Sequence, residues 1–240
     1  MKKANLFIAL IIALGFLNSC DHDTIRASGE VTSLDYSIPS YSELKISDAF
    51  NVYVTFSDTE ESVRIEANDN LHDKIIVKRE GNALVIRLKK FTSVKGNATM
   101  NAYIVTNDIT TFDLSGASRL TLENEWSVSD GRIDLSGASD FTGEVNTERL
   151  YLDTKGASSL DLFGNAVSMN AKLRGSSTIQ DYDLSVENLK IELSGASEAF
   201  LKVNKTIDVK ASGASVLNYK GNATVNNKKL SGSSEVKNRN

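Results

Sequence analysis

The sequence predicts an all-β fold: a single-stranded, right-handed parallel β-helix with coils of about 20 residues. Three observations carry that prediction. The first is a small-residue motif, written DLSGAS at both 113–118 and 134–139, which recurs in weaker versions to the end of the chain. The second is its period. Its glycines, Gly116, Gly137, Gly156, Gly175, Gly195, Gly213 and Gly232, stand 21, 19, 19, 20, 18 and 19 residues apart. A period near twenty marks a solenoid, in which each coil buries its apolar face by stacking on the next. The third is the alternation ahead of each glycine, where apolar residues flank a charged or polar one (Phe112-Asp113-Leu114, Ile133-Asp134-Leu135, Ile191-Glu192-Leu193). Period two is a strand with one face inward.

The chain opens with Lys2 and Lys3 and an apolar run from Leu6 to Leu17, too short to span a bilayer as a stable helix. It ends in Leu17-Asn18-Ser19-Cys20, which resembles the lipobox of bacterial lipoproteins. Residues 1–19 therefore read as a lipoprotein signal peptide and Cys20 as the acylated first residue of the mature chain. Cys20 is the only cysteine, so no intramolecular disulfide competes with that role. Acyl chains on Cys20 make the membrane a partner. Residues 20–35 are polar and without hydrophobic periodicity, which predicts a flexible tether. The acidic residues after Cys20 resemble sorting signals for export to the cell surface, and Asp23-Thr24-Ile25 resembles a short O-glycosylation signal. The expected location is the outer membrane of a diderm bacterium, on the cell surface rather than the periplasmic face.

Residues 36–107 form an N-terminal β region without the repeated motif. Strands are expected at Glu43–Ile46, Phe50–Phe56, Ser62–Glu66, Lys74–Lys78, Ala83–Lys89 and Asn101–Val105, as irregular early coils or as a cap on the solenoid's open edge. Residues 108–240 form the repeat solenoid. The apolar column resumes four residues after each glycine with Leu120, Phe141, Leu160, Ile179, Ala199, Leu217 and Val236, which places the glycine at a corner between two strands. Ala or Ser follows every glycine, and Ser follows that in all seven copies. Coils stack about 4.8 Å apart, so a bulky side chain at a tight bend meets its copy in the next coil. Glycine also tolerates a positive φ there, and a serine hydroxyl can bond free backbone groups. The charged C-terminus, Lys237 to Asn240, guards against edge-to-edge pairing.

A formal charge of −4 supplies no basic stripe, so nucleic acid is not an expected partner. Both histidines, His22 and His72, lie outside the repeat, so no Ser/His/Asp set assembles within it. No catalytic residue and no cofactor is assigned. Asp113, Asp134 and Asp153 share one column and should stack as an acidic ladder, followed in that column by Lys172, Glu192, Lys210 and Lys229. Three carboxylates about 5 Å apart could bind a cation such as Ca²⁺, or a sugar; solvated surface charge is the alternative. Trp126, Tyr151, Tyr182 and Tyr219 offer stacking platforms for sugars where exposed and core packing where not.

The opening YSELKISDAFNVYVTFSDTEESVRIEANDNL, the later ALVIRL and the run of LSGAS corners together resemble the head GIN domain family of auto-transporter adhesins, over about residues 40 to 221. The resemblance implies an exported, often lipid-anchored β-helical protein and suggests adhesion, with no catalytic residues to carry over. Two functions are thus expected: a non-catalytic binding module whose faces contact a glycan or a protein, or a polysaccharide lyase or hydrolase using the acidic ladder.

Overall fold

The computed structural model describes residues 23–240, so Cys20 and the signal segment lie outside the described residues. Within them the fold is nearly all-β, wound into about seven turns of about 19 residues each. One wall is made by the strands that run into the glycine corners. There Thr111–Leu114 pairs in parallel with 132–135, which pairs with 151–154, and the ladder continues through 170–173, 190–193 and 208–211 to 227–230. The register is the one the repeat predicts: Asp113, Asp134, Asp153, Lys172, Glu192, Lys210 and Lys229 are successive partners.

The corners themselves stack. Each glycine from Gly116 to Gly232 in the repeated motif has a positive φ. The residue after it donates its N–H to the corner below, as in Ala138 N to Gly116 O and Ala157 N to Gly137 O, both 2.8 Å. The corner serines turn inward. Ser118, Ser139, Ser158, Ser177, Ser197 and Ser215 are buried, and each hydroxyl donates to the carbonyl three residues earlier, for example Ser139 to Ser136 at 2.9 Å. A buried hydroxyl needs such a partner, and the turn supplies it locally.

The interior is a continuous column of Leu, Ile, Val and Ala, broadened in the first coils by aromatics. Phe112 meets Trp126 edge-on at 5.0 Å and Phe141 at 5.2 Å. Trp126 is 1% exposed, and its Nε1 donates to Ile109 O at 2.6 Å. Gly131 sits in a strand because a Cβ there would lie 2.6 Å from the Trp126 ring.

The N-terminal region is both coil and cap, and its coils stack out of chain order. Glu43–Ile46 lies beneath Thr111–Leu114, and Ala83–Leu88 lies beneath Glu43–Ile46. On the next wall Asn51–Phe56 pairs with Met100–Thr106 in the same sense. These additions bring the corner wall to nine parallel strands, spanning about 38 Å at the usual spacing. Antiparallel strands then close the open end: Ile75–Glu80 on Ala83–Leu88, Ser62–Asn68 on Met100–Thr106, and Val31–Tyr36 on Ser62–Asn68. An antiparallel strand ends the parallel ladder and covers its edge.

The stretch 20–35, expected as a flexible tether, departs from that reading where it is described. Asp23–Arg26 pairs with Thr92–Lys95, and Val31–Tyr36 is the outermost cap strand. Both owe their order to partners distant in sequence, which a local periodicity test does not see.

Candidate binding face

Side chains on the outer side of the corner wall form two adjacent columns. One runs Lys45, Asp113, Asp134, Asp153, Lys172, Glu192, Lys210, Lys229. The other, one residue before each corner glycine, runs Ser115, Ser136, Lys155, Arg174, Ser194, Ser212, Ser231. Alternation along each strand points both columns to solvent, and the stacking holds each row about 4.8 Å from the next.

The predicted acidic ladder is therefore assembled, but its members differ. Arg132 grips Asp134 with two hydrogen bonds, 2.6 and 2.7 Å. Arg174 pairs with Asp153. Asp113 takes no such guanidinium partner among the described residues, and burial, then the neighbouring Asp134, raises its carboxyl above the ordinary range. The three line an open trench of about 260 Å³ with Arg132, Ser136 and Lys155. Among the described residues no group of three or more His, Cys, Asp or Glu side chains converges to hold a metal. The aspartates form a line rather than a cage, and two are answered by guanidinium groups.

Farther along the same wall the sign reverses. An open trench of about 330 Å³ is lined by Lys172, Arg174, Lys210 and Lys229, with Glu192 between them and Ser194, Ser212 and Ser231 alongside. Lys210 pairs with Glu192 at 2.9 Å and depresses its carboxyl. With Arg174 paired to Asp153 and Lys210 to Glu192, Lys172 and Lys229 leave the trench net positive, which suits an anionic ligand, with hydroxyls at its flank. Sequence reading placed these lysines in the column but saw no site in them, because the Arg174 and serine contributions come from the neighbouring column.

Of the four aromatic platforms, Trp126 and Tyr219 belong to the core, whereas Tyr151 is 38% exposed. Tyr182 is half-buried, edge-on to Phe200, with Lys220 Nζ 4.3 Å from its ring centre. A pair not anticipated, Tyr53 and Tyr103, stacks at 5.2 Å beside the amides of Asn51 and Asn101, and Asn101 donates to Glu66. His72, the one histidine among the described residues, lies in the short helix Asp69–Lys74 of the cap, bonded to Thr32. It belongs to the cap and not to a corner, and the corner serine hydroxyls are held in their own turns, as Ser177 donates to Arg174 O at 3.0 Å.

Residues 40–223 match the family described as "Putative auto-transporter adhesin, head GIN domain". The chain belongs to this family. No curated protein matches it significantly. Among solved structures, this head GIN domain is similar to a "putative adhesin" from Bacteroides fragilis NCTC 9343, with 21% identity and a TM-score of 0.81 over 89% of this chain and 99% of that one. A "putative lipid binding protein" from Parabacteroides distasonis ATCC 8503 superimposes at 0.76 with 15% identity, over 90% and 100% of the two chains. A "putative adhesin" from Parabacteroides merdae ATCC 43184 gives 0.71 at 15% identity, again over 90% and 100%. At such identities the likeness is one of fold. The family match supports a binding role at the cell surface or in the envelope.

Proposed function

We propose that this head GIN domain is a non-catalytic binding module, lipid-anchored through Cys20 on the outer surface of the bacterial outer membrane, which presents its corner wall to an acidic glycan. The observation that carries this reading is the basic trench, in which Lys172, Arg174, Lys210 and Lys229 line one rigid face beside Ser194, Ser212 and Ser231. Lys172 and Lys210 are two coils apart, about 10 Å, a spacing that suits a chain bearing one acidic group per disaccharide. A solenoid presents such a row without the entropy cost of ordering a loop, which favours binding.

The test is a binding array of neutral and acidic polysaccharides with the chain and with its Lys172→Glu/Lys210→Glu variant. Acidic glycans should bind the native chain and lose at least tenfold in affinity with the variant, since charge reversal affects two contacts. Equal binding of neutral and acidic glycans would remove the basis of the reading. Shortened or unsaturated products from the same incubations would favour a polysaccharide-active enzyme instead.

A further inference from the structure

The corner wall carries a third outward column, two residues ahead of the ionic one on each strand. It runs Arg132, Tyr151, Asn170, Lys190, successive partners in the parallel ladder. Its members leave Tyr151 clear on both sides. In the coil beneath, Arg132 is held along its own strand by two hydrogen bonds to Asp134, 2.6 and 2.7 Å. In the coil above stands Asn170, a shorter side chain, half-buried.

Other outward tyrosines are committed within the fold. Tyr53 and Tyr103 stack on each other, and Tyr103 also donates to Glu66 at 3.3 Å. Tyr182 meets Phe200 edge-on and carries Lys220 over its ring. Tyr151 is 38% exposed, and among the described residues its ring meets no other ring or cation at stacking distance and its hydroxyl has no hydrogen-bond partner. The side-chain amide of Asn170 is likewise without a hydrogen-bond partner among them.

A tyrosine ring offers an apolar face with a polar tip. A pyranose offers the complement, a face of C–H groups rimmed by hydroxyls, and the Asn170 amide supplies both a donor and an acceptor for that rim. Two exposed cations flank the amide. Lys172 follows it on the same strand, about 7 Å along, and Lys190 is its partner in the next coil, about 5 Å away. The carboxylate nearest the ring, Asp153, is answered by Arg174, so its charge is offset.

We propose that Tyr151 and Asn170 form a sugar-ring subsite at the end of the basic trench nearer the cap, where a pyranose of the acidic glycan stacks on Tyr151, its hydroxyls bond Asn170, and the acidic group of the chain reaches Lys172 and Lys190. The inference rests on the proposed function and narrows its ligand: the wall selects pyranose polymers over other polyanions. The glycan runs along the solenoid axis, from Tyr151 past Lys172 to Lys210 and Lys229.

The test sets two uronate polymers, hyaluronan and polygalacturonate, against inorganic polyphosphate, which carries charge without a sugar ring. In calorimetric titrations Tyr151→Ala should lose at least about fivefold in affinity for a uronate polymer and bind polyphosphate as the native chain does. Unchanged polyphosphate binding also shows that the wall of the variant is intact. Tyr151→Phe should keep both affinities, because the ring face carries the contact. Lys172→Glu/Lys210→Glu should weaken both kinds of ligand. Native uronate affinity in Tyr151→Ala, with the lysine variant still defective, overturns the subsite and leaves the proposed function standing. Equal loss of uronate and polyphosphate binding in Tyr151→Ala also overturns it, as does a native chain that binds polyphosphate but neither uronate polymer. A native chain that binds none of the three overturns the proposed function and the subsite with it.

Discussion

Replacing Gly116 by alanine tests the physical basis of the stack. Gly116 has φ +77, and a Cβ there would lie 2.5 Å from Asp48 O and 2.9 Å from Asp48 N in the coil beneath. An ordinary carbon–oxygen contact is about 3.3 Å, so the corner must rise by about 0.8 Å. The same oxygen accepts Ala117 N–H at 2.6 Å, and the shift would stretch that bond to about 3.4 Å, beyond useful geometry. Weakening it at a crowded bend costs about 1 to 3 kcal/mol. The left-handed conformation adds about 1 to 2 kcal/mol. Gly81→Ala isolates that second part, because Gly81 has φ +62 but nothing within 4 Å of its would-be Cβ. The gain from restricting the unfolded chain is similar for both variants and cancels. Gly116→Ala should therefore lose about 1 to 3 kcal/mol more than Gly81→Ala, a difference of about 2 to 12 °C in melting temperature for a domain of this size. Thermal unfolding followed by far-ultraviolet circular dichroism measures both. Equal losses would refute the claim that backbone contact between coils, rather than φ alone, selects glycine.

Other outcomes follow from the same geometry. Ser177→Ala removes a buried hydroxyl that donates to Arg174 O at 3.0 Å and should cost about 1 kcal/mol in urea unfolding; a neutral result would mean that the turn holds without it. Asp48→Ala removes the carboxylate that accepts Leu88 N–H at 2.7 Å, and should cost about 1 to 3 kcal/mol by the same assay. The raised pKa of Asp113 means that the folded state holds this proton more tightly than the unfolded one. Stability should then fall as pH rises from the unfolded value of about 3.9 through the folded one. Asp113→Asn should accordingly raise the melting temperature at pH 7 and leave it unchanged below about pH 3, under the unfolded value; a penalty at pH 7 would contradict this. Calcium should produce no titration heat and no melting shift, because Arg132 and Arg174 already hold two of the three ladder carboxylates.

The repeat half of the molecule was legible because its information is local. Period, alternation and corner chemistry all recur within about twenty residues, and each copy checks the others. The stacking of Gly137 on Gly116 and the order of the ionic column follow directly from that spacing. In the N-terminal half the strands at Glu43–Ile46 and Ala83–Leu88 were legible by alternation, but their order was not. Pairing 83–86 beneath 43–46 is a long-range choice, fixed by which edges the antiparallel cap strands cover. Sites fared similarly. The acidic column was visible, whereas its neutralisation by Arg132 and Arg174 depends on residues in the columns beside it.

Asp48 shows why the corner rule is about neighbours and not about glycine as such. It occupies the corner of the 43–56 coil with φ +76, and Gly116 stacks on it as Gly137 stacks on Gly116. A Cβ is tolerated at Asp48 because the coil beneath does not turn there: after Leu88 the chain leaves the wall for the Lys89–Thr92 turn, so no corner carbonyl lies under it. The space is filled by the carboxylate, which accepts the Leu88 N–H that a continued ladder would have paired. Aspartate is among the residues that adopt this backbone region most readily, so the exchange costs little. The departure of the chain at Leu88 thus has two effects from one cause. It ends the glycine requirement at the bottom of the stack, and it releases the segment that carries Phe91 to the exposed end beside Asp23.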